Sequence, residues 1–146
     1  MEVGYLALPE PLAPFARYVP CRWSGDEVHV SGQVAAHEGE FPLRGRVGAE
    51  LTLEQGRAAA RQCALNVLAA LKRELNDLSR IRALVKVTVF VATGPDFVDH
   101  HLVADGASEV FVEALGDVGE HARSAVGVAR LPMDSPVEIE ATALAG

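Results

Sequence analysis

Residues 52–75 constrain this chain more than any other segment. Thr52-Leu-Glu-Gln55 has capping-box spacing: the threonine hydroxyl accepts from the backbone N–H three residues on, and the glutamine side chain reaches back to the cap. Behind it Ala60, Ala64, Val67, Leu68, Leu71 and Leu75 recur at helical spacing, with Arg61, Lys72 and Glu74 on the opposite stripe. A helix of that length with one apolar face needs an apolar surface to lie on. Residues 83–91 offer one. Val85, Val87, Val89 and Val91 alternate with Leu84, Lys86, Thr88 and Phe90, so the valine face of a strand should pack on the helix.

The other segments add strands to that pair. Residues 1–16 are proline-rich and predict an extended N-terminal arm. Residues 18–23 predict a strand, Ser24-Gly-Asp a hairpin turn, and residues 27–34 a second strand. In that second strand Val28, Val30 and Gly32 share one face, and His29, Ser31 and Gln33 the other. Residues 35–50 predict a loop with one short strand near 41–44. Thr93-Gly-Pro is a turn, and residues 96–115 predict a second helix, interrupted or started late near Asp105-Gly106. The stretch 123–141 reads as two short strands joined by a turn. The expected fold is α+β: one domain over 1–146, with a single sheet carrying two helices on one face. The other face, with residues of the Ala125, Val128, Thr88 or Thr142 type, is neither charged nor covered and invites self-association.

Bulk properties remove several function classes. The net charge is −7 and the 13 lysines and arginines are scattered, which disfavours a broad grip on nucleic acid. The N-terminus lacks the basic region and apolar run of a signal peptide, and no apolar stretch reaches membrane-span length. A soluble cytoplasmic protein with no membrane partner is expected. Cys21 and Cys63 have no metal or redox spacing, Cys63 falls in the helix's apolar register, and nothing supports a disulfide between them. Asp99-His100-His101 and His121 match no metal motif, so no metal is expected. Neither a dinucleotide fingerprint nor a phosphate loop is present.

Chemistry concentrates near the C-terminus. Arg123 has few acidic neighbours in sequence, and a guanidinium so placed is a fork for a carboxylate. Glu138 could position a water or take a proton. Two readings stand side by side. One is a small-carboxylate site; the other is an ion pair of Arg123 with Glu138 or Glu140 across adjacent strands. Ser31 has no His/Asp partner in sequence and reads as a hydrogen-bonding strand serine, while Tyr18 suits packing as well as a lid.

Several segments resemble the RidA/YjgF family of reactive-imine deaminases, also called L-PSP endoribonuclease-like. They are Val30-Ser-Gly-Gln33, the capped helix with Ala59 and Asn66, Val85-Lys-Val-Thr-Val-Phe-Val91, Asp96-Phe97, Arg123-Ser124, Leu131-Pro132 and Val137-Glu-Ile-Glu-Ala141. The resemblance runs from about residue 18 to the C-terminus and points to a divergent branch. It implies a chorismate-mutase-like fold, a homotrimeric barrel with clefts between subunits, and hydrolysis of 2-imino acids to 2-keto acids and ammonia without metal or organic cofactor. By resemblance Arg123 binds the substrate carboxylate, Glu138 holds the attacking water, Tyr18 closes the cleft and Ser31 lies in its wall. Ala125 stands where many members have cysteine, and His101 where the deaminases usually have asparagine. The expected partner is a carboxylate-bearing imine or keto acid. The rivals are a non-catalytic small-carboxylate binder and a hydrolase of another imine-like metabolite, with endoribonuclease the weakest.

Overall fold

The computed structural model describes residues 2–3 and 6–146. Strands β1 (Glu2–Val3) and β2 (Leu6–Ala7) form a small antiparallel pair. The main sheet contains β3 (Cys21–Ser24), β4 (Glu27–Val34), β5 (Ile81–Ala92), β6 (Ala122–Val128) and β7 (Val137–Ala145). Helices α1 (Leu53–Leu75) and α2 (His100–Leu115) follow β4 and β5. The N-terminal arm is anchored where it is described, since Leu6 and Leu8 are buried; residues 1, 4 and 5 lie outside the described residues. Among the described residues, no helix is long and apolar enough to cross a membrane.

Helix α1 forms where the sequence predicts it. Thr52 accepts from the Gln55 N–H, the Gln55 side chain accepts from the Thr52 N–H, and left-handed Asn76 closes the other end. Its apolar face buries Ala60, Cys63, Ala64, Val67, Leu68 and Leu71 against the sheet. One polar residue lies on that face and is fully bonded. The buried Asn66 amide donates to the carbonyls of Val34 and Ala36, both at 2.9 Å, and clamps the end of β4 to the helix. Cys21 and Cys63 are free and buried; burial pushes the Cys21 thiol up to about 12 and the Cys63 thiol upward too, so neither is a reactive thiolate.

The strand order is β3-β4-β7-β5-β6, antiparallel except for the parallel β5–β6 pair that the α2 crossover makes possible. This corrects the expectation that β6 and β7 are neighbours, because β5 lies between them. The burial patterns explain the order. β7 buries Val137, Ile139, Ala141, Ala143 and Ala145 and belongs in the sheet centre. β6 turns Arg123, Ala125 and Gly127 toward α2, has little to bury, and forms an edge. The helix face of β5 is Val87, Val89 and Val91, whereas Val85 is exposed because the β5–β7 register is irregular between Leu84 and Lys86.

Other expectations are also corrected. The first main-sheet strand starts at Cys21, after Pro20, and leaves Tyr18 and Val19 exposed. No strand forms at 41–44, where Pro42 lacks an N–H; isolated bridges His37↔Glu40, Val47↔Leu51 and Val47↔Thr93 order that region instead. Helix α2 is unbroken at Gly106. A Cβ there would lie 2.5 Å from the Arg57 carbonyl oxygen, so the glycine is the contact point of the two helices and not a breaker. Ala125 packs against the core from the helix side and is not on the open face.

Candidate functional site

The residues named from sequence fall in two places. The first is the edge formed by β6 and α2. Arg123 lies opposite Val87, whose side chain is buried beneath the helices, so the guanidinium emerges on the helix face. Its Nη1 donates to Asp105 Oδ1 at 2.9 Å and to Ser108 Oγ at 3.0 Å, and its Nη2 donates to the His101 carbonyl at 3.3 Å. Asp105 and Ser108 are three residues apart on α2 and therefore share a helix face. The guanidinium is thus held by its own chain with part of its charge balanced. Nε and the second Nη2 hydrogen have no partner among the described residues, and the side chain is 22% exposed. Two donors of a planar fork are left for a ligand oxygen.

Of His101, only the backbone carbonyl meets Arg123; its side chain is exposed. His100 lies edge-on to Phe97 and sits over Gly127, where a Cβ would come within 2.5 Å of its Nε2. His121 bonds to Ser108 and to the Gly119 carbonyl. The three histidines are therefore committed to different surroundings. Among the described residues no three His, Cys, Asp or Glu side chains gather as a metal site.

The second place is the opposite sheet face, around β7 and β4. Glu138 alternates with buried Val137 and Ile139, so its carboxylate points away from the helices, beside Phe90 and Val34 of the flanking strands. It rests on Gly32, where a Cβ would come within 2.8 Å of its Cδ. Glycine is needed there for close approach. Burial, with a smaller contribution from Glu140, holds the Glu138 carboxyl above the usual glutamate range. Ser31 donates its hydroxyl to the Val19 carbonyl at 2.6 Å and its N–H to the Pro20 carbonyl at 2.8 Å, fastening residues 19–20 across β4. Tyr18 is exposed and shares a shallow cleft with Phe15, Pro20, Gly32 and Gln33. The Oε1 of Gln33 is buried with no partner among the described residues.

An ion pair of Arg123 with Glu138 or Glu140 is ruled out within one chain. β6 and β7 are two strand spacings apart, ~10 Å, and the side chains leave opposite faces. Glu138 is opposite Phe90 whereas Arg123 is opposite Val87, which adds roughly 10 Å along the strand. The carboxylate partner of Arg123 is Asp105. Sequence reading gave no role to Asp105, Ser108 or Gln33 and weighed His121 only as a metal ligand. The i, i+3 spacing of Asp105 and Ser108 was the available signal, but it points to a shared helix face and not to what lies under it.

Comparison with known proteins places the chain among relatives. The family model described as "YjgF/chorismate mutase-like, putative endoribonuclease" matches residues 2–141. Protein TCP17 of Trypanosoma cruzi is 43% identical over 137 residues, covering 93% of this chain and 86% of that protein. The crystal structure of Atu1372 from Agrobacterium tumefaciens, a protein described as of unknown function, superposes with a TM-score of 0.91 at 42% identity, covering 97% of this chain and 87% of that one. Escherichia coli TdcF, solved with bound serine, is more distant: TM-score 0.66 at 28% identity, covering 95% of this chain and 94% of that one.

Proposed function

The chain belongs to the YjgF/chorismate mutase-like family, and from that premise we propose that it is a cofactor-independent hydrolase of 2-imino (enamine) acids that releases 2-keto acids and ammonia. The observation that supports this most is the state of Arg123: oriented by Asp105, Ser108 and the His101 carbonyl, reachable from solvent, and left with two free donors. A 2-imino acid has a carboxylate next to an electrophilic carbon. Holding the carboxylate on Nε and Nη2 would fix that carbon against a water. Glu138, with its proton affinity raised by burial, is suited to take a proton from that water and return it to the departing ammonia.

Arg123 and Glu138 lie on opposite faces of one chain, so the reading requires two chains at each site. The assembly proposed is a homotrimer with one cleft per subunit boundary. The helix-side edge of β6 in one subunit would face the Glu138, Ser31 and Tyr18 surface of the next. Ala125 and the His101 carbonyl would lie beside the bound carboxylate.

The test is keto-acid release from 2-iminopropanoate and 2-iminobutanoate generated in situ. Wild type should accelerate it, and Arg123→Ala should lose about 100-fold or more in kcat/KM. A folded, oligomeric wild type that gives no acceleration would overturn the proposal.

One observation favours a second reading. The Asp105 carboxylate already balances Arg123, which suits reversible binding of a small carboxylate without turnover. TdcF, a relative solved with bound serine, is consistent with a ligand-binding role. Tight keto-acid binding with no imine turnover would establish it. RNA cleavage finds no support in the net charge of −7. Cleavage that survived both Arg123→Ala and repurification would revive it.

A further inference from the structure

Ser108 and His121 form a hydrogen-bonded pair of which the proposed imine hydrolysis uses only the serine, as a support for Arg123. Ser108 is on the third turn of α2, and His121 immediately precedes β6. The distance from Ser108 Oγ to His121 Nε2 is 2.9 Å, and from His121 Nδ1 to the Gly119 carbonyl oxygen 2.6 Å. A carbonyl can only accept, so Nδ1 carries the hydrogen. In the neutral ring Nε2 is then bare, and the Ser108 hydroxyl must donate to it. The ring is also held from the side, with Phe111 edge-on at 5.6 Å between centroids. Arg123 Nη1 donates to the same Oγ at 3.0 Å. The serine oxygen therefore donates to a base and accepts from a fixed cation. That is the arrangement that activates a hydroxyl, with a backbone carbonyl as the orienting third group. Ser108, His121 and Arg123 are each partly exposed.

We propose that Ser108 is a nucleophile with His121 as its general base, which would give this chain acyl-transfer chemistry toward small activated esters as a second activity. The Ser108 hydroxyl loses its proton to His121 Nε2 as Oγ bonds to the acyl carbon. The carbon–oxygen bond to the leaving alcohol breaks, and His121 returns the proton to that alcohol. Water then attacks the acyl-serine, giving its proton to Nε2; the Oγ–carbon bond breaks, the acid leaves, and the proton returns to Oγ. The Arg123 guanidinium is the cation next to the charge that builds on the acyl oxygen.

The full-length protein would be treated with an alkyl fluorophosphonate and followed by intact mass and peptide mapping. Oγ–P forms, P–F breaks, fluoride leaves and the proton goes to His121. One adduct per chain on Ser108 is expected, with none in Ser108→Ala. In His121→Gln labelling should slow by about 100-fold. Ser124, on the other face of β6, is the control, and Ser124→Ala should label like wild type. Absence of an adduct in wild type, an adduct that persists in Ser108→Ala, or equal rates in wild type and His121→Gln would each overturn the proposal. Should Ser108→Ala fail to fold by circular dichroism, the His121→Gln rate decides. Imine turnover does not enter this readout, so failure here and failure of the deaminase proposal are distinguishable.

Discussion

The Arg123 edge and the Glu138 face solve opposite electrostatic problems. At the edge a cation is surrounded by its own partners: a carboxylate, a hydroxyl and a backbone carbonyl. On the open face a carboxylate has no cation partner among the described residues, rests on a glycine and is disfavoured in its charged form by burial and a like-charged neighbour. The edge is organised by the chain's own contacts, while the face keeps a carboxylate whose charge burial disfavours. A binding anchor needs the first property and a proton acceptor the second. The two lie on opposite sides of one sheet, so the division of labour proposed for them needs a boundary between chains.

The hardest test of that division is complementation. Arg123→Ala and Glu138→Gln should each lower imine hydrolysis by about 100-fold or more. Chains unfolded together and refolded at equal amounts should recover about a quarter of wild-type activity, because a cleft that takes its arginine from one chain and its glutamate from the next is intact with that frequency. Activity no higher than that of the parent variants would mean that both groups serve from one chain, or that one of them does not serve.

A second test acts on the edge alone. Gly106 allows α2 to touch α1, and α2 carries Asp105 and Ser108 to Arg123. Gly106→Val should push the helices apart and destabilise the fold by about 1–3 kcal/mol, seen in chemical denaturation. Carboxylate affinity should fall with it. Unchanged stability would show that the crossing tolerates a side chain and that the edge is less rigid than its contacts suggest.

How much of this was legible in sequence depends on what each feature rests on. Helix α1 was readable end to end, because its caps and its periodicity are local. The valine alternation of β5 was readable except at Val85, where a register irregularity turns one residue outward. Strands β6 and β7 were visible as strands but not as non-neighbours, since alternation identifies a buried face and not a pairing partner. Arg123 was singled out by its chemistry. Its true neighbours were hidden, because Asp105 and Ser108 reach it through a crossover and a helix contact made by a glycine that reads locally as a break. His101 was picked for its side chain, yet it reaches Arg123 through the backbone, which residue type does not encode.

The third test asks whether Asp105 competes with a ligand for Arg123. Asp105→Asn keeps the shape and removes the competing charge. Binding of 2-oxobutanoate, followed by calorimetry, should tighten by about threefold to tenfold, the size expected of a partly exposed ion pair. Weaker binding would mean that Asp105 matters more for orienting the guanidinium than for neutralising it.

The smallest effect separates the two regions by pH. Glu138 has its folded pKa raised, so the native state holds its proton more tightly than the unfolded chain does. Stability linked to this group is therefore full below the ordinary glutamate range, and it is lost as pH rises through the elevated folded value. Glu138→Gln removes that loss. The variant should match wild type in acid and exceed it at neutral pH, by less than ~1 kcal/mol because the side chain is partly open to solvent. The comparison is thermal or urea unfolding at the two pH values. A variant less stable than wild type at neutral pH would mean that the Glu138 carboxylate has a stabilising partner in the assembled protein. The open face would then be electrostatically satisfied like the edge, and its claim to hold a free base would fail.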